Sequence, residues 1–487
     1  MSEINQLVQK KFVTNVALLL LLNLLIKPFW IFGIDRTVQN QLPQDYGMYF
    51  VLFNFSLLFN IILDVGITNF NNKHITQNQQ LLSSYFSGIT LFKLLLFVVY
   101  LLVTFTVGWF AGYDSERFYM LGLLSINQFL ISFIQYLRSN VTALQLYTTD
   151  SFLSVLDKLL MSVFCAVLLW GNWWAIDFNI LYFVYAQMLA YGITAGVVFA
   201  IVFQQAKPIK FAINFSFLKQ IIRKTFPYAL LVLTMMFYYR IDTVMLDFML
   251  PDGETQVAIY AQAYRLMDAF NQFGVLFAGL LLPMFAFLIH EKKSVAALVK
   301  LSFNMLFVLS VTVAAFMFFH AEKVMELLYN YHVDDSSEIV VVLMFCYVCI
   351  AASYIFGTLL TANGNLNLLN KIAGAGLLIN VLLNLWLIPS YHAIGAAIAS
   401  LVTQGIIISV QIISTKNIFN FSIDVVYMLR LMVFVSVIFA SFYATTLFSI
   451  ALFPQLLLAG VIGLSIGLVL KIIDLKSLWL ILKNKVE

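Results

Sequence analysis

Charge is scarce in this sequence. Acidic and basic residues together make up 10% of it, against about 25% in a soluble domain. That excludes an ordinary water-soluble fold. Cysteine is scarcer still. The three present, Cys165, Cys346 and Cys349, all lie within apolar runs, which excludes a disulfide framework. Cys346-x-x-Cys349 has redox or metal spacing, but no other ligand is near, so both read as packing residues. The five histidines, His74, His290, His320, His332 and His392, fall in gaps or at the ends of runs. A redox membrane enzyme would instead pair histidines inside helices. No Walker A motif occurs, so the chain does not hydrolyse ATP itself. Neither a Ser/His/Asp arrangement nor a Gly-rich phosphate loop rises above chance. A channel's pore loop or ring of like charge is missing too.

What fills the sequence is apolar length. Of its 487 residues 62% are hydrophobic, and the mean hydropathy is +0.95. A hydrocarbon core about 30 Å thick needs ~20 apolar residues per helix. Fourteen such runs follow one another, at 13–34, 47–70, 81–110, 118–137, 149–170, 178–203, 220–249, 257–288, 296–319, 338–361, 370–388, 393–414, 425–448 and 452–473. Helices are expected, because lipid offers no partner for backbone N–H and C=O groups. Unbroken runs such as Val16–Leu22 and Leu456–Leu470 exclude the alternating segments of a β-barrel. The first run is too long for a signal peptide and lacks a small-residue cleavage site, so it reads as a retained span.

The gaps alternate in charge. Eighteen of the 27 basic residues fall in one alternate set, among them Lys10, Lys11, Lys207, Lys292, Lys293 and Lys416. The opposite set holds Arg36, Arg117 and Lys323, and is rich in acids such as Asp35, Asp114, Asp252 and Glu322. The positive-inside rule then puts both termini in the cytoplasm. The net charge of +4 is therefore a topology signal, with no nucleic-acid partner implied.

The gap at Gln204–Lys219 splits the chain. Pro43 to Tyr49 and Pro251 to Tyr260 each carry an external Pro turn followed by a helix-entry Tyr. Such an echo between six-helix blocks is a transporter signature, with the substrate site between the blocks. The expected division is a first six-helix lobe over 1–212, a second over 213–420, and two further spans with a basic interfacial tail over 421–487. Trp109, Trp170, Trp173 and Trp174 read as an outer aromatic belt.

Ionisable residues inside a membrane are costly, so they face protein or water. Asp157, Lys158, Asp247 and Arg430 lie near span ends, where snorkelling is easy. The remaining candidates are Lys27, Asp64, Lys93, Arg240, Asp242, Arg265 and Asp268. At 1.5 Å per residue, Lys27 and Arg240 lie roughly 21 Å from the inner face and Arg265 roughly 12 Å from the outer one. These three cations share a layer in the outer half, suited to a phosphate or pyrophosphate. Lys27 precedes Pro28, a kink site. Lys93 has no local partner. Arg265 and Asp268 are one turn apart, so a structural ion pair stands beside the substrate reading. Tyr238 and Tyr239, beside Arg240, have the shape to stack on sugar rings or simply to pack.

Several stretches resemble one family. They are Pro227-Tyr228-Ala229-Leu230, Tyr239-Arg240-Ile241-Asp242-Thr243, Ala258-Ile259-Tyr260-Ala261-Gln262-Ala263-Tyr264-Arg265, Thr361-Ala362-Asn363-Gly364-Asn365, Asn380-Val381-Leu382-Leu383-Asn384 and Gly395-Ala396-Ala397, with Asp64-Val65-Gly66 in the first block. The sequence resembles the polysaccharide and O-antigen flippases of the multidrug/oligosaccharidyl-lipid/polysaccharide exporter superfamily. It departs from them at His392, where the family carries Gly, and at Asn72-Lys73, where an Arg is common. The resemblance implies an all-α polytopic fold of two pseudo-symmetric lobes in a V. It implies flipping of undecaprenyl-pyrophosphate-linked oligosaccharide across a bacterial inner membrane by alternating access. Arg240 and Lys27 would then hold the anion, and Asp242 the geometry of the seventh span. Arg265, Lys93 and Tyr239 are further substrate-side candidates. Asp64, Asp242 and Asp268 are candidates for H⁺ or Na⁺ coupling or for structure. No cofactor or metal is expected and no enzymatic activity. The expected partners are the lipid-linked sugar, the bilayer and polysaccharide polymerase machinery, with the chain a monomer. A lipid II flippase and a cation-coupled multidrug exporter stay open as alternatives. A membrane-embedded glycosyltransferase fits less well, because the longest external gap, His320–Ser337, is short.

Overall fold

The computed structural model describes residues 22–23, 25–171, 178–207, 215–421, 424–447 and 452–472. The start of the first span, Trp173, Trp174 and the tail beyond Ile472 lie outside the described residues. Among the described residues every regular element is helical. A π-helix, Phe29–Asp35, leads into α1 (Arg36–Gln41) and α2 (Pro43–Leu58). A 3₁₀ turn, Asn60–Leu63, precedes α3 (Ile67–Gln77). Then come α4 (Leu81–Phe110), α5 (Ser115–Ala143), α6 (Tyr147–Trp170), α7 (Ile180–Gln205) and α8 (Phe215–Met249). They are followed by α9 (Gly253–His290), α10 (Ala296–Leu328), α11 (Val333–Ala362), α12 (Leu366–Phe419), α13 (Val425–Thr446) and α14 (Leu452–Val469). Ten of the helices are long and apolar enough to cross a bilayer. This is a multi-span membrane protein.

The chain divides into two compact units, Met1–Phe248 and Met249–Glu487. The helix expected to open the second lobe, α8, lies in the first unit. In that unit α5 is the packing centre, with α2, α3, α6 and α7 around it. Its inner face is polar, carrying buried Ser125, Asn127, Gln128, Ser132, Ser139 and Asn140. In lipid a polar stripe of that kind serves as interhelical glue. Asn71 Nδ2 on α3 donates to Asn140 Oδ1 at 2.9 Å, and Asn60 Nδ2 donates to Gln128 Oε1 at 2.8 Å. Outer faces are greasy instead, as at Leu91, Leu95 and Leu102 of α4. Trp109 and Trp170 are exposed near helix ends, as belt residues would be.

In the second unit α11 is the centre, packed by α9, α10 and α12, while α13 and α14 cover α10. The 54 residues of α12 would span ~80 Å as one straight rod, far more than a bilayer. They are two legs joined at His392, whose φ of 52° and ψ of −134° break the helix. The chain folds back so tightly there that a Cβ on Gly395 would sit 2.5 Å from the Leu387 carbonyl oxygen. The two legs correspond to the expected spans at 370–388 and 393–414.

One expectation needs correction. The run at 47–70 was read as a single span, but the helix stops after the 3₁₀ turn and restarts at Ile67. Val65 and Gly66 take positive φ, 44° and 80°. Gly66 suits that conformation, since it has no Cβ to clash. The run carries Asp64 and Gly66 at the interruption, but its apolar length is enough for one span.

Candidate functional site

The broken second span explains a lysine. Lys93, on α4, is 1% exposed. No acid lies within a turn of it on α4, and its partners come from elsewhere in the fold. Its Nζ donates to Asp64 Oδ1 at 2.6 Å, to the Leu63 carbonyl oxygen at 2.8 Å and to Ser132 Oγ at 3.0 Å. Backbone groups released by a helix break must find partners inside a membrane. Lys93 satisfies the freed Leu63 carbonyl and neutralises Asp64 at once. Asp64 also accepts from Thr68 Oγ1 at 2.5 Å, which fixes the restart of α3.

The second cluster is built differently. Pro28 removes a backbone donor in the first span, and the turns that follow widen into the π-helix Phe29–Asp35. Such wide turns frequently mark functional sites. Asp35, assigned from sequence to an external gap, is buried at its end. It accepts from Tyr46 Oη at 2.9 Å and Gln39 Nε2 at 3.0 Å. Two residues before the π segment sits half-buried Lys27. Asn23 Nδ2 donates to Ser154 Oγ at 3.2 Å, so this stretch lies along α6. One turn farther along both elements, Lys27 feels the charges of Lys158, Asp157 and Arg138.

Lys158 is the residue that sequence reading set aside. Depth was counted from the span end, and that gives no azimuth. The side chain turns inward among aromatic rings. Its Nζ donates to Tyr191 Oη at 3.1 Å and lies 5.6 Å from the Trp30 ring centre and 5.2 Å from that of Tyr191. Asp157 is its acidic neighbour, at a loose 3.6 Å. Arg138 is held by Asp150 through two contacts at 2.7 and 3.1 Å. Lys27, Lys158 and Asp157 thus gather in one charge cluster between the first span and α6. The findable signal was Lys158 lying eleven residues into a 24-residue helix.

The other candidates are more dispersed. Arg240, half-buried on α8, donates from Nη1 to Asn54 Oδ1 at 3.2 Å. Tyr239 packs beside Tyr238, with ring centres 4.6 Å apart, and Asp242 is buried at 1% exposure. The end of α8 is fixed by Arg117, whose guanidinium reaches both oxygens of Asp247, at 2.6 and 3.0 Å. Beside that pair, burial pushes the Tyr113 phenol above its usual range. Asp247 adds to the effect and Arg117 opposes it. Arg265 and Asp268 lie one turn apart on α9, in the second unit, both half-buried. The site candidates thus divide between units, six in the first and two in the second. No group of acids, histidines and cysteines among the described residues has a metal-holding arrangement.

Residues 12–289 match the family described as polysaccharide biosynthesis protein. No curated protein matches the chain. Solved structures do. The lipid II flippase MurJ, in an inward closed conformation, superposes with a TM-score of 0.72 at 13% identity, over 93% of this chain and 98% of that one. An inward-facing multidrug resistance MATE family transporter of the MOP superfamily gives 0.61 at 15%, over 82% and 96%. A mutant of the Vibrio cholerae MATE transporter VcmN gives 0.55 at 15%, over 84% and 98%. At those identities the likeness is one of fold. The family match covers more than half of the sequence, and on it the chain belongs to the polysaccharide biosynthesis protein family, with a fold like that of MurJ and the MATE transporters.

Proposed function

We propose that the protein flips a lipid-linked oligosaccharide, carried on undecaprenyl pyrophosphate, across the bacterial inner membrane by alternating access. The observation that carries the reading is the gathering of two ammonium groups, Lys27 and Lys158, around Asp157 on intramembrane helices. Like charges repel strongly where water is thin, and a diphosphate accepts Lys point charges well. Arg240, with a neutral Asn54 beside it, is the second anion-side group in this proposal. Tyr239 is the group we assign to meet sugar. The family match supports a polysaccharide pathway, and the MurJ-like fold supports a lipid-borne cargo. Asp242, buried on α8, is the acid we assign to H⁺ or Na⁺ coupling. The chain works as a monomer in this reading, with both termini cytoplasmic, and hands its product to polysaccharide polymerase machinery.

The test is flipping of a fluorescent lipid-linked oligosaccharide by the purified chain in proteoliposomes. K27A/R240A is expected to slow flipping at least tenfold while leaving the chain folded. Unchanged flipping in that variant would sink the charge-based mechanism. The MurJ-like fold also favours a second reading, a lipid II flippase. Parallel assays with lipid II and with a surface-polysaccharide precursor separate the two.

A further inference from the structure

The second unit holds a cavity of about 940 Å³ at one end of its helices. It opens among the α9–α10 turn, the end of α12 and the start of α13. Four lysines line it, Lys292, Lys293, Lys300 and Lys416. None of the four has a carboxylate partner among the described residues. One acid, Asp424, is also in the lining, and its Oδ1 is engaged by the Val426 N–H at 2.9 Å. Deeper in, the wall turns apolar, with Phe303, Phe356, Met428 and Leu431.

The floor is fixed by hydrogen bonds. Tyr427 Oη donates to Asn304 Oδ1 at 2.5 Å, and Asn304 Nδ2 donates to the Ile472 carbonyl oxygen at 2.7 Å. Lys300 Nζ rests 4.7 Å from the centre of the Tyr427 ring. Helices α10 and α13 and the end of α14 are thereby tied around one opening.

We propose that this cavity holds the head of an anionic glycerophospholipid, in the leaflet that the charge bias assigns to the cytoplasm. Four cations around an opening attract a phosphodiester's negative charge, and basic pockets between spans are known to take acidic head groups. A free phosphate would have no use for the apolar depth. A cationic amphiphile would meet four like charges. The occupant is thus both acidic and acyl-chained. In this proposal it is a resident lipid, distinct from the transported cargo, and it keeps α13 and α14 seated on α10. The inference stands apart from the transport reading, since head-group selectivity is measured without transport.

The experiment is native mass spectrometry of the full chain in detergent, titrated with dioleoyl-phosphatidylglycerol or dioleoyl-phosphatidylcholine. Phosphatidylglycerol is expected to be retained at least tenfold over phosphatidylcholine. Each lysine near an acidic surface contributes about fivefold in affinity, so K300Q/K416Q should lower phosphatidylglycerol retention by more than an order of magnitude. K300R/K416R should keep it. Equal retention of the two lipids by the unaltered chain overturns the proposal, and so does undiminished retention in K300Q/K416Q. Should K300Q/K416Q fail to fold, the two-lipid comparison on the unaltered chain and on K300R/K416R decides. A last arm adds undecaprenyl phosphate. One-for-one displacement of phosphatidylglycerol would assign the cavity to the carrier lipid and overturn the proposal, whereas continued retention supports it.

Discussion

Lys93 and Lys27 are the same residue type on intramembrane helices of one unit, and their surroundings differ in kind. Lys93 meets one carboxylate, one backbone carbonyl and one hydroxyl, all within 3.0 Å. Its charge is cancelled locally, and it repairs a break in the second span. Lys27 sits among Lys158, Asp157 and Arg138, beside a π-helix. There several cations gather near Asp157, and Asp150 is committed to Arg138. The cost of an ionisable group in lipid is similar in both places. What separates a staple from a candidate binding group is the sum of charge around it.

The comparison breaks most readily at the staple. D64N leaves Lys93 buried opposite a neutral group, and loss of one partner of a buried pair costs about 3–5 kcal/mol. Thermal unfolding in detergent should show a large fall in midpoint. The double variant D64L/K93M removes both charges and should recover much of the loss. Its flipping rate sharpens the contrast. Recovery of stability with normal flipping confines Lys93 to structure, whereas recovery without flipping would bring it to the cargo.

The opposite pattern is expected at the other lysines. K158A should lower flipping about tenfold, a barrier change of about 1.4 kcal/mol, with a near-normal unfolding midpoint. A collapse of the fold would instead make Lys158 a second staple. A smaller effect is expected at His392. Holding a non-glycine residue in so sparsely populated a conformation costs about 1 kcal/mol or more, so H392G should raise the unfolding midpoint modestly. The smallest belongs to Y191F, which removes the hydroxyl that accepts from Lys158. Interhelical hydrogen bonds in membranes average about 0.6 kcal/mol, so stability should barely move while flipping by the Lys158 cluster slows measurably.

The spans were legible because hydropathy reports length and burial in lipid directly. The run at 81–110 matches α4 end to end, and 149–170 differs from α6 by two residues at its start. The reversal inside α12 was legible from Pro389 and Gly395 even though a histidine stands at the turn. The break at Val65–Gly66 was hidden, since the run around it is long enough for one span and the break is stabilised by a lysine 29 residues away. Depth along a helix was readable for Lys27, Lys93 and Lys158, but direction around the axis was not. That is why Lys93 was left without its acid and Lys158 was sent toward the headgroups. The burial of Asp35 was hidden for a related reason, since it depends on Gln39 and Tyr46 packing around the end of the π-helix.

The break in the second span has a mechanical consequence. Two short rods joined at a bend would normally pivot there, yet Lys93 grips the bend from a neighbouring helix and Thr68 clasps it from the side. The joint behaves as a welded elbow. A rearrangement of this unit that keeps those contacts has to bend somewhere other than at this joint.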